Sequence, residues 1–205
     1  MKKVLAIICA CVGFPDAVSA AGISYTHLGV DLLAITYDEP VRVAGYEVEG
    51  LVGANIEGSW GFHDNLFVRF SSYAAGNESE DGYLEVMESQ ATLALGANVS
   101  PMESLSLYAY YGPVTGEIEV CAPICATADY DGSAFQFGAR FKPVQLFEIA
   151  LARSSIDYDD AGIDTETATK LAATLYFTRN HSARLAVSSS DEDVTATTLG
   201  YKYYW

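Results

Sequence analysis

The stretch YEVEGLVGANIEGSWGF, residues 46–62, decides the fold. Its even positions Tyr46, Val48, Gly50, Val52, Ala54, Ile56, Gly58, Trp60 and Phe62 are apolar or small, whereas Glu47, Glu49, Asn55, Glu57 and Ser59 are polar. Successive side chains of a strand point to opposite faces, so a period of two over this length predicts a long strand with one greasy face. Strands of globular proteins usually run to about 5–6 residues, and this one is far longer.

The same alternation recurs along the chain and predicts strands near 23–36, 43–61, 65–75, 83–99, 104–116, 132–142, 146–157, 167–178, 183–190 and 194–205. Ten is an even number, and each segment supplies the roughly 9–11 residues a tilted strand needs to cross a bilayer. Eight strands, with two absorbed into long loops, are the alternative. Short connections at 62–64, 100–103, 143–145 and 179–182 alternate with mostly longer, acidic ones at 37–42, 76–82, 117–131, 158–166 and 191–193. The expected fold is all-β: a closed, antiparallel, up-and-down transmembrane β-barrel with short periplasmic turns. Closure follows because an open sheet edge in lipid leaves backbone donors and acceptors unpaired.

Turns centred on His63, Met102 and Val144 predict cross-strand pairs. They set Trp60 opposite Leu66, Val99 opposite Leu105, and Phe141 opposite Phe147 on the outer side. Glu57 then faces Arg69, and Arg140 faces Glu148, on the inner side. A soluble sandwich or lipocalin-like barrel also alternates, but its apolar face points inward and these charges would need solvating. Trp60, Phe62, Phe141, Phe147, Phe177, Tyr203 and Trp205 fall beside the short turns, and Tyr46, Tyr111 and Phe135 toward the loops. Those are the places of interfacial girdles.

Lys2 and Lys3, an apolar run to about Val12, and small residues up to Ala20 have the order of a cleaved secretory signal, residues 1–20. A lipoprotein signal ending at Cys11 is the rival. Residues 21–205 would then form one barrel domain. Removing Lys2, Lys3 and Asp16 leaves 9 basic and 26 acidic residues, a charge of −17 that opposes binding to nucleic acid. The closing segment Leu199–Trp205 places Leu199, Tyr201, Tyr203 and Trp205 on one face. Together with hairpins such as residues 59–70, these features resemble the small outer-membrane β-barrel or porin-family proteins of Gram-negative bacteria. The resemblance implies the bacterial outer membrane as location, membrane lipid and lipopolysaccharide as surroundings, and a barrel-assembly machinery that reads Tyr201, Tyr203 and Trp205. It implies no catalytic, cofactor or metal residue. Trp205 stands where terminal Phe is commoner.

Alternation sends Asp31, Glu47, Glu49, Glu57, Glu88 and Glu148 into the lumen with Arg69, Arg140, Lys170, Arg184 and Lys202. Glu57, Arg69, Arg140, Glu148, Lys170 and Arg184 are the expected charge network. A desolvated unpaired charge is costly, so these groups pair and plug the barrel, giving a structural or surface-interaction protein. A narrow porin-like diffusion channel lined by the same charges is the alternative. Cys121 and Cys125 sit in a long external loop in an oxidising compartment and suit a disulfide better than zinc. The acidic loops suit divalent cations, although residues 157–168 match calcium-loop spacing poorly, with Ala161 and Ala168 at ligand positions. His27, His63 and His181 all fall toward the periplasmic side, so no enzyme activity and no cofactor are expected, and the barrel is expected to be monomeric. Deleting Trp205 is expected to lower the fraction of heat-modifiable, folded barrel in outer-membrane preparations, read by unheated gel electrophoresis.

Overall fold

In a computed structural model, residues 23–43, 45–79, 83–122, 124–159, 164–191 and 193–205 are described. The signal-like residues 1–20 lie outside them. Ten strands follow in chain order: β1 (His27–Val43), β2 (Tyr46–His63), β3 (Leu66–Glu78), β4 (Glu85–Met102), β5 (Leu105–Cys121), β6 (Cys125–Val144), β7 (Phe147–Tyr158), β8 (Glu166–Tyr176), β9 (His181–Ser190) and β10 (Val194–Tyr204). Each pairs antiparallel with its sequence neighbour, and β1 pairs with β10 from His27↔Tyr204 to Tyr37↔Val194, closing the barrel.

The apolar face points outward. Leu32, Val52, Leu95, Phe137, Leu151, Leu171 and Leu199 are all exposed, Val52 by 73%, while Asp31, Glu57, Glu148 and Lys202 are buried. This inverts the rule for water-soluble barrels and makes the exterior a surface for lipid. Trp60, Phe62, Phe141, Phe177 and Tyr203 are exposed at the short-turn end, and Tyr111 and Phe135 toward the other. The aromatic girdles are therefore present, except that Tyr46 packs inward.

Three turns differ in register from the expected pairs. They are two-residue turns, 64–65, 103–104 and 145–146, each preceded by an irregularity that adds one residue to the first strand. Trp60 thus faces Val68, Val99 faces Leu107, and Phe141 faces Ile149. Every offset is two residues, which keeps each side chain on its expected face and changes only its partner.

The external end departs further. β5 and β6 continue as a paired hairpin to Cys121↔Cys125, so the expected loop 117–131 is mostly strand and the connection is only 122–124. Likewise β1 and β2 pair out to Val43↔Tyr46 across an irregularity between Thr36 and Val41. That irregularity reverses the faces beyond Gly50. Val48 turns inward and is 4% exposed, and Glu47 and Glu49 become exposed instead of entering the lumen. Val43, Tyr46 and Val48 join Leu33, Leu51, Ala75, Leu84 and Val86 in an apolar cluster inside the outer mouth. Burial of such side chains is worth about 1.5–3 kcal/mol each, enough to fold the hairpin over the opening.

At the periplasmic end Ile23–Thr26, expected to begin the first strand, precede β1 and enter the lumen. Tyr25 stacks on Phe67 with centroids 4.7 Å apart, and Thr26 Oγ1 accepts a hydrogen bond from Gly61 N at 3.0 Å. Phe67 in turn lies across Gly96, its direct partner on β4, where any Cβ would collide with the ring. Gly96→Val should therefore push out Phe67 and Tyr25 and lower the apparent Tm of the refolded barrel. A Tm equal to wild type would contradict that packing.

Candidate functional site

Within the described residues, the lumen holds two ion-pair clusters below an open vestibule. The first centres on Glu57 of β2, 1% exposed. Its carboxylate meets Arg69 Nη2 of β3 at 2.7 Å, Arg184 Nη1 of β9 at 2.6 Å and Lys202 Nζ of β10. His27 Nε2 of β1 lies 3.9 Å away. One acid thus ties strands on both sides of the β1–β10 closure. Glu57 and Arg69 meet diagonally, since their direct partners are Ser71 and Ser59.

The second cluster is Arg140 of β6 with Glu148 of β7. The guanidinium donates two hydrogen bonds to the carboxylate, at 2.8 and 3.0 Å, and Tyr176 Oη donates a third to Glu148 at 2.9 Å. Paired donors of this kind fix orientation as well as charge. Arg140 also lies 4.9 Å from the Tyr25 ring and donates to Ser24 O at 2.9 Å, fastening the entering segment to the opposite wall. Between the clusters a cavity of only about 70 Å³ remains, lined by Tyr25, His27, Arg140, Lys170 and Lys202 among others.

Five of the six residues expected in the charge network, Glu57, Arg69, Arg140, Glu148 and Arg184, lie in these clusters. Lys170 does not: among the described residues it makes no hydrogen bond or ion pair, and it borders both the small cavity and a larger one above. Asp31 is 2% exposed and accepts a hydrogen bond from Asn55 Nδ2 at 2.9 Å. The sequence pattern alone does not mark Tyr25, Tyr110, Gln136 and Tyr176 as site residues, although for those on strands the apolar alternation already places them inside. Tyr25 precedes its strand, and no local signal marks it.

The upper cavity, about 390 Å³, opens outward and is bordered by Tyr37, Tyr73, Tyr158, Glu88, Glu166 and Lys170 among others. Tyr73 donates to Glu88, and Tyr158 Oη donates to Glu166 at 2.9 Å. Outside the barrel, Asp191 in the β9–β10 connection is held below the usual carboxylate range, first by the Thr167 hydroxyl and then by the Arg153 guanidinium 3.0 Å away.

Cys121 and Cys125 are joined as a disulfide at the β5–β6 tip. Glu119 lies beside them, but the joined sulfurs leave no thiolate for a metal. The calcium-like stretch includes residues 160–163, outside the described residues. His27 is buried in the Glu57 cluster; His63 and His181 flank short turns, and His181 contacts Tyr201. Tyr201 and Tyr203 face outward, and Trp205 stacks on Tyr203 with centroids 6.0 Å apart.

No family model matches the chain, and no curated protein matches it. Among solved structures it is similar to Ail, the attachment invasion locus protein of Yersinia pestis, at 15% identity and a TM-score of 0.47, over 87% of this chain and 95% of that one. It is also similar to the KdgM porin, at 9% identity and a TM-score of 0.49, over 86% and 99%. The outer membrane protein OprG of Pseudomonas aeruginosa matches at 11% identity and a TM-score of 0.44, over 91% and 99%. At such identities and scores, function rests on this chain's own residues.

Removing one partner of a buried ion pair strands the other charges. Glu57→Gln should destabilise the barrel by about 3–5 kcal/mol, because three neighbouring cations lose their acid. Lys170→Met should leave stability unchanged or raised. Urea-driven unfolding in detergent micelles, followed by tryptophan fluorescence, would compare the two.

Proposed function

We propose that this chain is an outer-membrane barrel with a structural or surface-interaction role, its periplasmic half plugged. The observation that carries the reading is the filled floor: Ile23–Thr26, the Glu57 cluster and the Arg140–Glu148 pair leave only about 70 Å³ between them. Buried charges paired across strands stiffen a wall that lipid alone would leave deformable. Externally, the disulfide-tipped β5–β6 hairpin presents Glu117, Asp129 and Asp131 on its exposed outer face. Such a surface would meet divalent cations bridging lipopolysaccharide, or a basic partner. Residues 1–20 serve as the export signal, Tyr201, Tyr203 and Trp205 serve the assembly machinery, and the barrel acts as a monomer without enzymatic chemistry.

The narrow channel is the second reading. It is favoured by Arg69, Lys170 and Gln136 bordering both the small and the large cavity, so a modest shift of the floor would join them. Wild-type protein in planar bilayers should give no steady single-channel openings, whereas replacing Glu57, Arg69, Arg140 and Glu148 together with Ala should produce them. Stable openings of the wild type would overturn the plugged reading. If the external hairpin carries adhesion, trimming residues 117–131 should abolish cell binding while leaving the barrel heat-modifiable.

A further inference from the structure

The vestibule above the plug has opposite charges at its two ends. At its rim Glu88 and Glu166 accept hydrogen bonds from Tyr73 and Tyr158, and Tyr130 lies within electrostatic reach of both acids. At its floor stands Lys170, without an ion pair among the described residues. Among the described residues the acid within electrostatic reach of Lys170 is Glu57, which is already shared by Arg69, Arg184 and Lys202. Three cationic side chains on one carboxylate already leave this part of the floor positive.

We propose that the vestibule binds a small zwitterion of dipeptide size, its ammonium held at the acidic tyrosine rim and its carboxylate at Lys170. A simple anion meets the acidic loops and rim on entry, and a simple cation meets the positive floor. Only a solute carrying both charges is matched at both ends. Tyrosine faces beside carboxylates suit an ammonium group through cation–π attraction. A lysine free of a competing acid offers a carboxylate a charge-assisted hydrogen bond.

Size agrees. Glu166 and Lys170 are four residues apart on one face of β8, roughly 13 Å between Cα atoms. A charge-assisted contact of about 2.8 Å at each end brings that span to the roughly 7 Å of an extended dipeptide. The cavity of about 390 Å³ has room for such a molecule. The site lies outside the plug and does not depend on whether the floor conducts.

Isothermal titration of the full refolded barrel in detergent would use dialanine, N-acetyl-dialanine, which lacks the ammonium, and dialanine amide, which lacks the carboxylate. Dialanine should bind saturably, with each blocked analogue weaker by at least about tenfold, the loss of one charged contact. Lys170→Met should weaken dialanine to the level of the amide. Combined Glu88→Gln and Glu166→Gln should weaken it to the level of the acetylated form. Heat-modifiable migration would verify that both variants fold. Absence of saturable binding, equal binding of all three compounds, or undiminished binding by folded Lys170→Met would each overturn the site. Conductance of the wild type would overturn the plug alone.

Discussion

Hydrocarbon offers no partner to a backbone N–H or C=O, and that constraint governs the molecule. Each strand must be paired on both sides at membrane depth, so the last strand has to find the first. The ladder from His27↔Tyr204 to Tyr37↔Val194 does this across nearly the whole chain. It also brings residues from both chain ends to one place: His27 and Lys202 meet at Glu57 only because β1, β2 and β10 are neighbours. The charge cluster is thus a consequence of closure as well as a clasp on it.

Burial follows an unusual economy. Leucine and phenylalanine face outward, where lipid solvates them, and the interior receives the groups lipid would reject. Within that interior polarity is graded. Ion pairs and aromatic rings fill the periplasmic half, tyrosines and carboxylates line the vestibule, and an apolar cluster under the β1–β2 hairpin covers one side of the mouth. The last of these depends on the irregularity between Thr36 and Val41, which turns Val48 inward and frees Glu47 to pair with Arg42 at the surface.

The inside and outside of each strand were legible because side-chain direction repeats every two residues, and the three periplasmic hairpins added one residue together with a shortened turn. Their two-residue offsets preserved parity, so Glu57, Arg69, Arg140 and Glu148 could be assigned to the lumen even though their direct partners were misassigned. Parity failed at Glu47 and Glu49, where an irregularity in the neighbouring strand reversed the faces. It was silent for Tyr25, whose place is fixed by Phe67 and Arg140 from distant strands.

By itself, therefore, the sequence determined the all-β class, the lipid-facing surface and most lumen residues, since these follow from local alternation. Tertiary structure alone decided that the strands number ten, which charges meet, how far the external hairpins extend, and that Lys170 is left without an ion pair among the described residues. Those outcomes depend on register and on contacts across the barrel: Arg184 lies 127 positions from Glu57, and no local pattern specifies their 2.6 Å approach. The sequence names the charges. Closure of the barrel decides which of them neutralise one another and which one faces the open vestibule.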